Sequence, residues 1–199
     1  MHYLSQLTVD KKLATILHQH KLFKLRKREN VSLRLCASIM SQQLSSRVAD
    51  VIYSRFLDLF NGGEPSPEQI LQIKPEKLRS IGLSNAKVAY VHNVARFAVE
   101  EGLDHKILRK QSDEEVIQYL TRIKGVGRWT AEMILMFTLG REDIFAVDDL
   151  GIQNAMQKLY KLDSADKKKM KKRMLVISEK WKPYRTYACL HLWRWKDAK

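Results

Sequence analysis

The sequence predicts an all-α protein, and three observations carry that prediction. Apolar residues recur at helical spacing through most of the chain, as in Leu33, Cys36, Met40 and Leu44. Helix-start signals punctuate those runs at Asp10, Ser66, Ser84 and Ser112. Nothing alternates with period two over a useful length, and Val147 to Leu150 and Trp181 to Tyr184 are too short for sheet. With 199 residues the chain can bury a real core as one domain or two small lobes.

Taken in order, Asp10 caps a short amphipathic helix to His20, with Leu13, Ile16 and Leu17 on its apolar face. His18 and His20 fall on its solvated face, with no third ligand nearby for a metal. Phe23 to Asn30 is a charged connector. Ser32 to Phe60 keeps helical periodicity but is broken by Ser41-Gln42-Gln43 and Ser45-Ser46, which predicts two helices joined at that polar patch. Asn61 to Pro67 is a loop rich in glycine and proline. Ser66 caps a short helix from Glu68 to Ile73, and Pro75 opens another that ends at Gly82. Ser84 starts Asn85 to Glu101, with Val88, Val91, Val94, Ala95 and Ala98 as its core face. Ser112 and Glu115 form a capping box for Asp113 to Thr121. That helix runs into a tight turn, Ile123 to Gly127, followed at once by a second apolar segment. Ile152 to Lys161 and Asp166 to Lys180 are further helices. The basic run Lys167 to Arg173 reads first as a solvated face, although it also suits nucleic acid.

The charge balance narrows the partners. Lys plus Arg number 36 against 22 acidic residues, a net charge of +14. Such an excess predicts attraction to a polyanion, and no amphipathic anchor stands out that would favour a membrane over nucleic acid. Two cysteines, Cys36 and Cys189, lie inside apolar runs without a C-x-x-C pair, so thiolates here build neither a zinc site nor an iron–sulfur cluster. They read as core residues of a protein from a reducing, intracellular compartment. No long apolar core opens the chain as a signal peptide would, and no apolar run is long enough to span a bilayer.

The turn at Ile123 to Gly127 is where chemistry begins. Gly125 and Gly127 let the backbone turn sharply and approach another molecule without a Cβ in the way. Arg128, Thr130 and the amides after the turn sit at a helix start, where orphan N–H groups and the dipole favour an anion. A lone G-x-G is weak evidence. Here it reads Gly125-Val126-Gly127-Arg128-Trp129-Thr130-Ala131, with Val147-Asp148-Asp149 beyond it. Ile39-Met40-Ser41-Gln42-Gln43 precedes it, and Trp181-Lys182-Pro183-Tyr184-Arg185 to His191-Leu192-Trp193 follows. In that order these stretches resemble the helix-hairpin-helix DNA glycosylases, and most closely the branch of 3-methyladenine DNA glycosylase II type.

The resemblance implies a single unit over 1–199 built from two helical lobes. One spans 32–140, six helices ending in the hairpin; the other combines 1–31 with 141–199, and the active-site cleft lies between them. About thirty residues precede Val31, too few for the N-terminal β-rich domain of some relatives, so the compact form is expected. It also implies base excision repair of alkylated purines such as 3-methyladenine and 7-methylguanine. Excision leaves an oxocarbenium-like sugar that a carboxylate can stabilise while it orients water. Aligned on Trp129, the family's aspartate falls at Asp149, leaving Asp148 as a cap or a supporting partner. Read without the family, both aspartates could simply cap the next helix.

The bifunctional members carry a nucleophilic lysine where this chain has Trp129, so no Schiff base and no strand cleavage are expected. Trp129, Met133 and Trp193 take the positions of the pocket for the extruded base, where indole faces suit a cationic purine by roughly 0.5–2 kcal/mol each. Met133 stands where some relatives have tyrosine. Gln43, with Leu44 beside it, falls at the wedge that fills the vacated stack. Gly125, Gly127, Arg128 and Thr130 would anchor a phosphate, and the carbonyls of Thr121, Ile123 and Val126 would hold Na+ or K+. No other cofactor is implied. The partner is double-stranded DNA containing a damaged base, met by a monomer. A noncatalytic helix-hairpin-helix binding module and a glycosylase for other damaged bases are the competing readings; a pure binding module would need neither Asp149 nor Trp193.

Overall fold

The computed structural model describes residues 2–17 and 22–198. His18 and His20, expected on a solvated face, lie outside the described residues. The regular elements of the described chain are helices: α1 His2–Leu7, α2 Lys11–Leu17, α3 Val31–Ser41, α4 Ser46–Asp58, α5 Pro67–Gln72, α6 Pro75–Ser80, α7 Asn85–Glu100, α8 His105–Leu108, α9 Asp113–Thr121, α10 Arg128–Ile134, α11 Leu150–Tyr160, α12 Lys167–Ser178 and α13 Arg185–Asp197. A π-helical turn, Leu135–Leu139, continues α10, and a 3-10 turn, Glu179–Trp181, follows α12. Among the described residues there is no strand, only an isolated bridge between Asn30 and Asp104. None of these helices is long and apolar enough to cross a membrane.

The cap signals work as local chemistry requires. Ser66 and Ser112 each form a complete capping box, with Gln69 and Glu115 respectively, and Ser84 accepts the Lys87 N–H. The expected break in the long apolar stretch falls at 42–45, where Ser45 caps α4. Two short helices, α1 and α8, carry too few residues to declare a period in the sequence.

The chain divides into two compact units, Met1–Arg26 with Gly140–Lys199, and Lys27–Leu139. In the unit of residues 27–139, α3 packs on α4, α7 and α10, α5 packs on α7, and α9 packs on α10. Leu33, Cys36, Ile39, Phe56, Val91 and Leu120 are its sealed centre, each large apolar side chain contributing about 1.5–3 kcal/mol by leaving water. Burial also pushes the Cys36 thiol up to about 12, so this cysteine is a packing residue. The unit holds eight α-helices rather than six, three of them (α5, α6 and α8) only four to six residues long.

In the other unit α11 packs on α13, and α2 packs on both. Its centre is Trp181, 0% exposed. The indole N–H donates to Asp10 Oδ2 at 3.2 Å, and the Tyr160 hydroxyl donates to the same oxygen at 2.8 Å. Asp10 Oδ1 meanwhile accepts the amides of Lys12 and Leu13 at 3.0 and 3.1 Å, the cap expected of it. One carboxylate therefore ties the start of α2 to α11 and to the turn before α13.

Candidate active site and nucleic-acid contacts

Two side chains named from sequence meet in the unit formed by both chain ends. The Trp193 indole N–H donates to Asp149 Oδ1 at 2.8 Å, although 44 residues separate them. The same oxygen accepts the Ile152 amide at 2.8 Å, which makes Asp149 the N-cap of α11. The sequence leaves that role open to both aspartates, with Asp148 as a cap or a supporting partner once Asp149 is read as catalytic. Asp148 is instead exposed and pairs with Lys171 Nζ at 2.7 Å, because α11 begins at Leu150 and leaves Asp148 one residue too early. Asp149 and Trp193 are both half-buried.

Gly151 lets the two approach. A Cβ there would stand 3.0 Å from Asp149 Oδ1 and 3.0 Å from Trp193 Cδ1, tighter than almost any side chain tolerates. The segment leading into Asp149 is pinned to α13. Arg185 grips Asp143 through Nε at 2.7 Å and Nη2 at 3.0 Å, and Thr186 Oγ1 accepts the Ile144 amide at 3.0 Å. Gln153 Nε2 closes the turn onto the Val147 carbonyl at 2.9 Å. Arg185 falls within one of the quoted stretches, but the sequence attaches no role to it or to Gly151: the glycine acts through space it leaves open, and Arg185 through a partner 42 residues away.

In the unit of residues 27–139, Trp129 and Met133 line one face of α10 around a cavity of about 370 Å³ with Phe137, Ser38, Ser41 and Arg34. Gln43 and Leu44 stand exposed in the turn between α3 and α4. Gln43 adopts φ +59°, a left-handed conformation uncommon outside glycine.

The hairpin lies between α9 and α10. Val126 N donates to the Ile123 carbonyl at 2.9 Å, and Asn93 Nδ2 donates to the Lys124 carbonyl at 3.1 Å. The two glycines serve different ends. Gly125 has φ +106°, and a Cβ there would overlap the Tyr90 ring, so its bareness admits Tyr90 rather than an outside molecule. Gly127 has nothing within 4 Å of such a Cβ. It caps α10 without a side-chain hydrogen bond, so this helix start is open to an external anion.

Arg128 is partly spoken for. It pairs with Glu114 at 2.9 Å and with Glu132 at 3.2 Å, contacts that raise its pKa further and hold Glu114 below the usual carboxylate range. Thr130 is buried, and its Oγ1 accepts from Gln42 Nε2 at 3.3 Å. Its hydroxyl thus faces inward, leaving only its amide for the anchoring role.

Comparison with known proteins extends this geometry. Residues 36–182 match the family model described as HhH-GPD superfamily base excision DNA repair protein. The chain is 37% identical over 164 residues to DNA-3-methyladenine glycosylase 1 of Schizosaccharomyces pombe, covering 80% of this chain and 70% of that protein. It is 35% identical over 162 residues to a putative DNA-3-methyladenine glycosylase of Bacillus subtilis, covering 78% of this chain and 55% of that protein. Its fold superposes on the S. pombe 3-methyladenine DNA glycosylase in complex with abasic DNA, with a TM-score of 0.85 at 32% identity over 98% of this chain and 96% of the other. A DNA-3-methyladenine glycosidase from Bacillus halodurans gives 0.83 at 34% identity, over 100% and 90%. The chain belongs to the HhH-GPD superfamily of base excision DNA repair proteins.

Proposed function

We propose that this protein is a monofunctional DNA glycosylase that extrudes alkylated purines from duplex DNA and hydrolyses their N-glycosidic bond. The observation that carries this reading is the Asp149 carboxylate, fixed at the start of α11 by the Ile152 amide and the Trp193 indole. The names of the relatives support the lesion class, and the family supports base excision repair as its setting.

In this reading the hairpin amides at Gly125, Gly127 and Thr130 hold a backbone phosphate without reading sequence, and Arg128 adds positive charge beside them. Gln43, assisted by Leu44, enters the stack from the minor groove as the damaged base leaves it, which offsets an unstacking cost of a few kcal/mol. Indole faces are the candidate contacts for the base, Trp129 with Met133 in the unit of residues 27–139 and Trp193 in the other unit; a purine cation is stabilised by such faces and is already a good leaving group. As the glycosidic bond lengthens, Asp149 lies against the developing positive charge on the sugar and orients the attacking water, taking its proton. The indole bond at Asp149 Oδ1 leaves the carboxylate one preferred orientation, so no reorganisation is needed in the transition state. Trp129 supplies no amine, so the product is an abasic site on an intact strand. The working unit is one chain on one damaged duplex, wherever the cell keeps its DNA.

The carbonyls of Thr121, Ile123 and Val126 fit a monovalent cation by chemistry, being neutral, hard oxygens. The Ile123 carbonyl accepts one amide, from Val126, and keeps a second lone pair. A bound Na+ or K+ would add positive charge beside the phosphate.

Base release from methylated duplex DNA, measured for the wild type and for Asp149→Asn, tests the reading. Release by the wild type, lost in the variant while damaged-duplex binding persists, is the expected result. Persistent release in the variant would remove Asp149 from the chemistry, and no release by either protein would leave a binding module. Borohydride treatment during turnover should trap no covalent protein–DNA adduct.

A further inference from the structure

The turn carrying Gln43 is braced by a residue that no motif singles out. Lys87, in the first turn of α7, sends Nζ to the Gln42 carbonyl at 2.7 Å and to the Met40 carbonyl at 2.9 Å. These carbonyls close the C-terminal end of α3, where the helix leaves its last acceptors without intrahelical donors and the dipole favours a cation. Lys87 is partly withdrawn from water, and burial lowers its pKa. A lysine held in such a place is fixed by what it binds rather than by solvation. Around it, Leu44 N donates to the Ser41 carbonyl at 3.1 Å, and the Gln42 side chain reaches Thr130 at 3.3 Å. The one residue of this turn with a strained backbone is Gln43, at φ +59°, a conformation that persists in a non-glycine residue only where its surroundings over-determine it.

We propose that Lys87 is a positioning residue for base extrusion: by clamping the carbonyls of Met40 and Gln42, it holds Gln43 in the left-handed conformation that projects its side chain outward. This rests on the reading of Gln43 as the wedge. The clamp keeps the probing side chain ready before DNA arrives, so that binding does not have to order the turn.

Base release is to be compared for the full-length wild type, Lys87→Met, Lys87→Arg, Gln43→Ala and the double variant Lys87→Met/Gln43→Ala. One substrate is a paired methylated purine in duplex DNA; the other is the same lesion in a one-nucleotide bulge, where the base is already extruded and no wedge is required. Lys87→Met should lose roughly ten-fold on the paired lesion, the size expected from removing hydrogen bonds to a charged donor, and little on the bulge. Lys87→Arg should recover most of the loss, and the double variant should be no worse than the poorer single one. If Gln43→Ala matters on the paired lesion and Lys87→Met does not, the Lys87 assignment fails while the wedge stands. If Gln43→Ala has no effect on the paired lesion, the wedge itself fails and the Lys87 assignment falls with it. An equal loss on both substrates makes Lys87 a general stabiliser and overturns the proposal.

Discussion

The unit formed by the two chain ends contains one chemical arrangement twice. Asp10 caps α2 and accepts the indole of Trp181; Asp149 caps α11 and accepts the indole of Trp193. The environments differ. Asp10 is 6% exposed, Trp181 is fully buried, and the Tyr160 hydroxyl adds a further bond whose proton is held by burial and by the carboxylate. Asp149 and Trp193 are half-buried, and both of the bonds described above fall on the single oxygen Oδ1. A sealed carboxylate–indole pair can only hold a structure together. The same pair at the surface can also meet a substrate, so solvent access rather than residue type separates a staple from a candidate catalytic group.

This contrast can be broken by experiment. Asp149→Asn should lower single-turnover base release by about a hundred- to ten-thousand-fold, yet change stability by less than about 1 kcal/mol because asparagine also caps. A comparable rate from this variant would erase the distinction. Asp10→Ala should behave in the opposite way. It strands the buried donors of Trp181 and Tyr160 and removes a cap, a loss of about 2–4 kcal/mol in denaturant unfolding. Base release well below the melting temperature should remain intact.

Trp193→Phe sharpens the comparison by keeping the aromatic face and deleting the N–H. Base release should drop about ten-fold, the worth of one hydrogen bond to a charged acceptor, whereas Trp181→Phe should register in the melting curve instead. Gly151→Ala makes the subtlest demand, moving Asp149 or Trp193 by a few tenths of an ångström. Base release should fall roughly three- to ten-fold, since misplacement near the chemistry is costly. Melting should not drop in step, because alanine in a helix offsets part of the strain. A melting curve that collapses with the rate would show that Gly151 serves packing rather than geometry.

The sequence made the helices legible because their signals are local. A serine oxygen and an amide three residues on suffice to start a helix, and Ser66, Ser84 and Ser112 all do so. The hairpin was legible from its glycines, but their division of labour was not. Only packing reveals that Tyr90 fills the space beside Gly125 while Gly127 stays open. Asp148 and Asp149 were ambiguous as caps because helix boundaries shift by a residue or two under tertiary forces.

By itself, then, the chain dictated an all-helical protein of strong positive charge, with the order of its motifs and the identity of the aspartate and tryptophan worth watching. The tertiary structure decided that Asp149 and Trp193 share a hydrogen bond, that Asp10 and Trp181 are shut away, and that Lys87 reaches under the turn of Gln43. The physical reason is distance along the chain. Caps and periodicities act within a few residues, whereas these pairs lie 44, 171 and 45 residues apart and exist only once packing has brought their helices together.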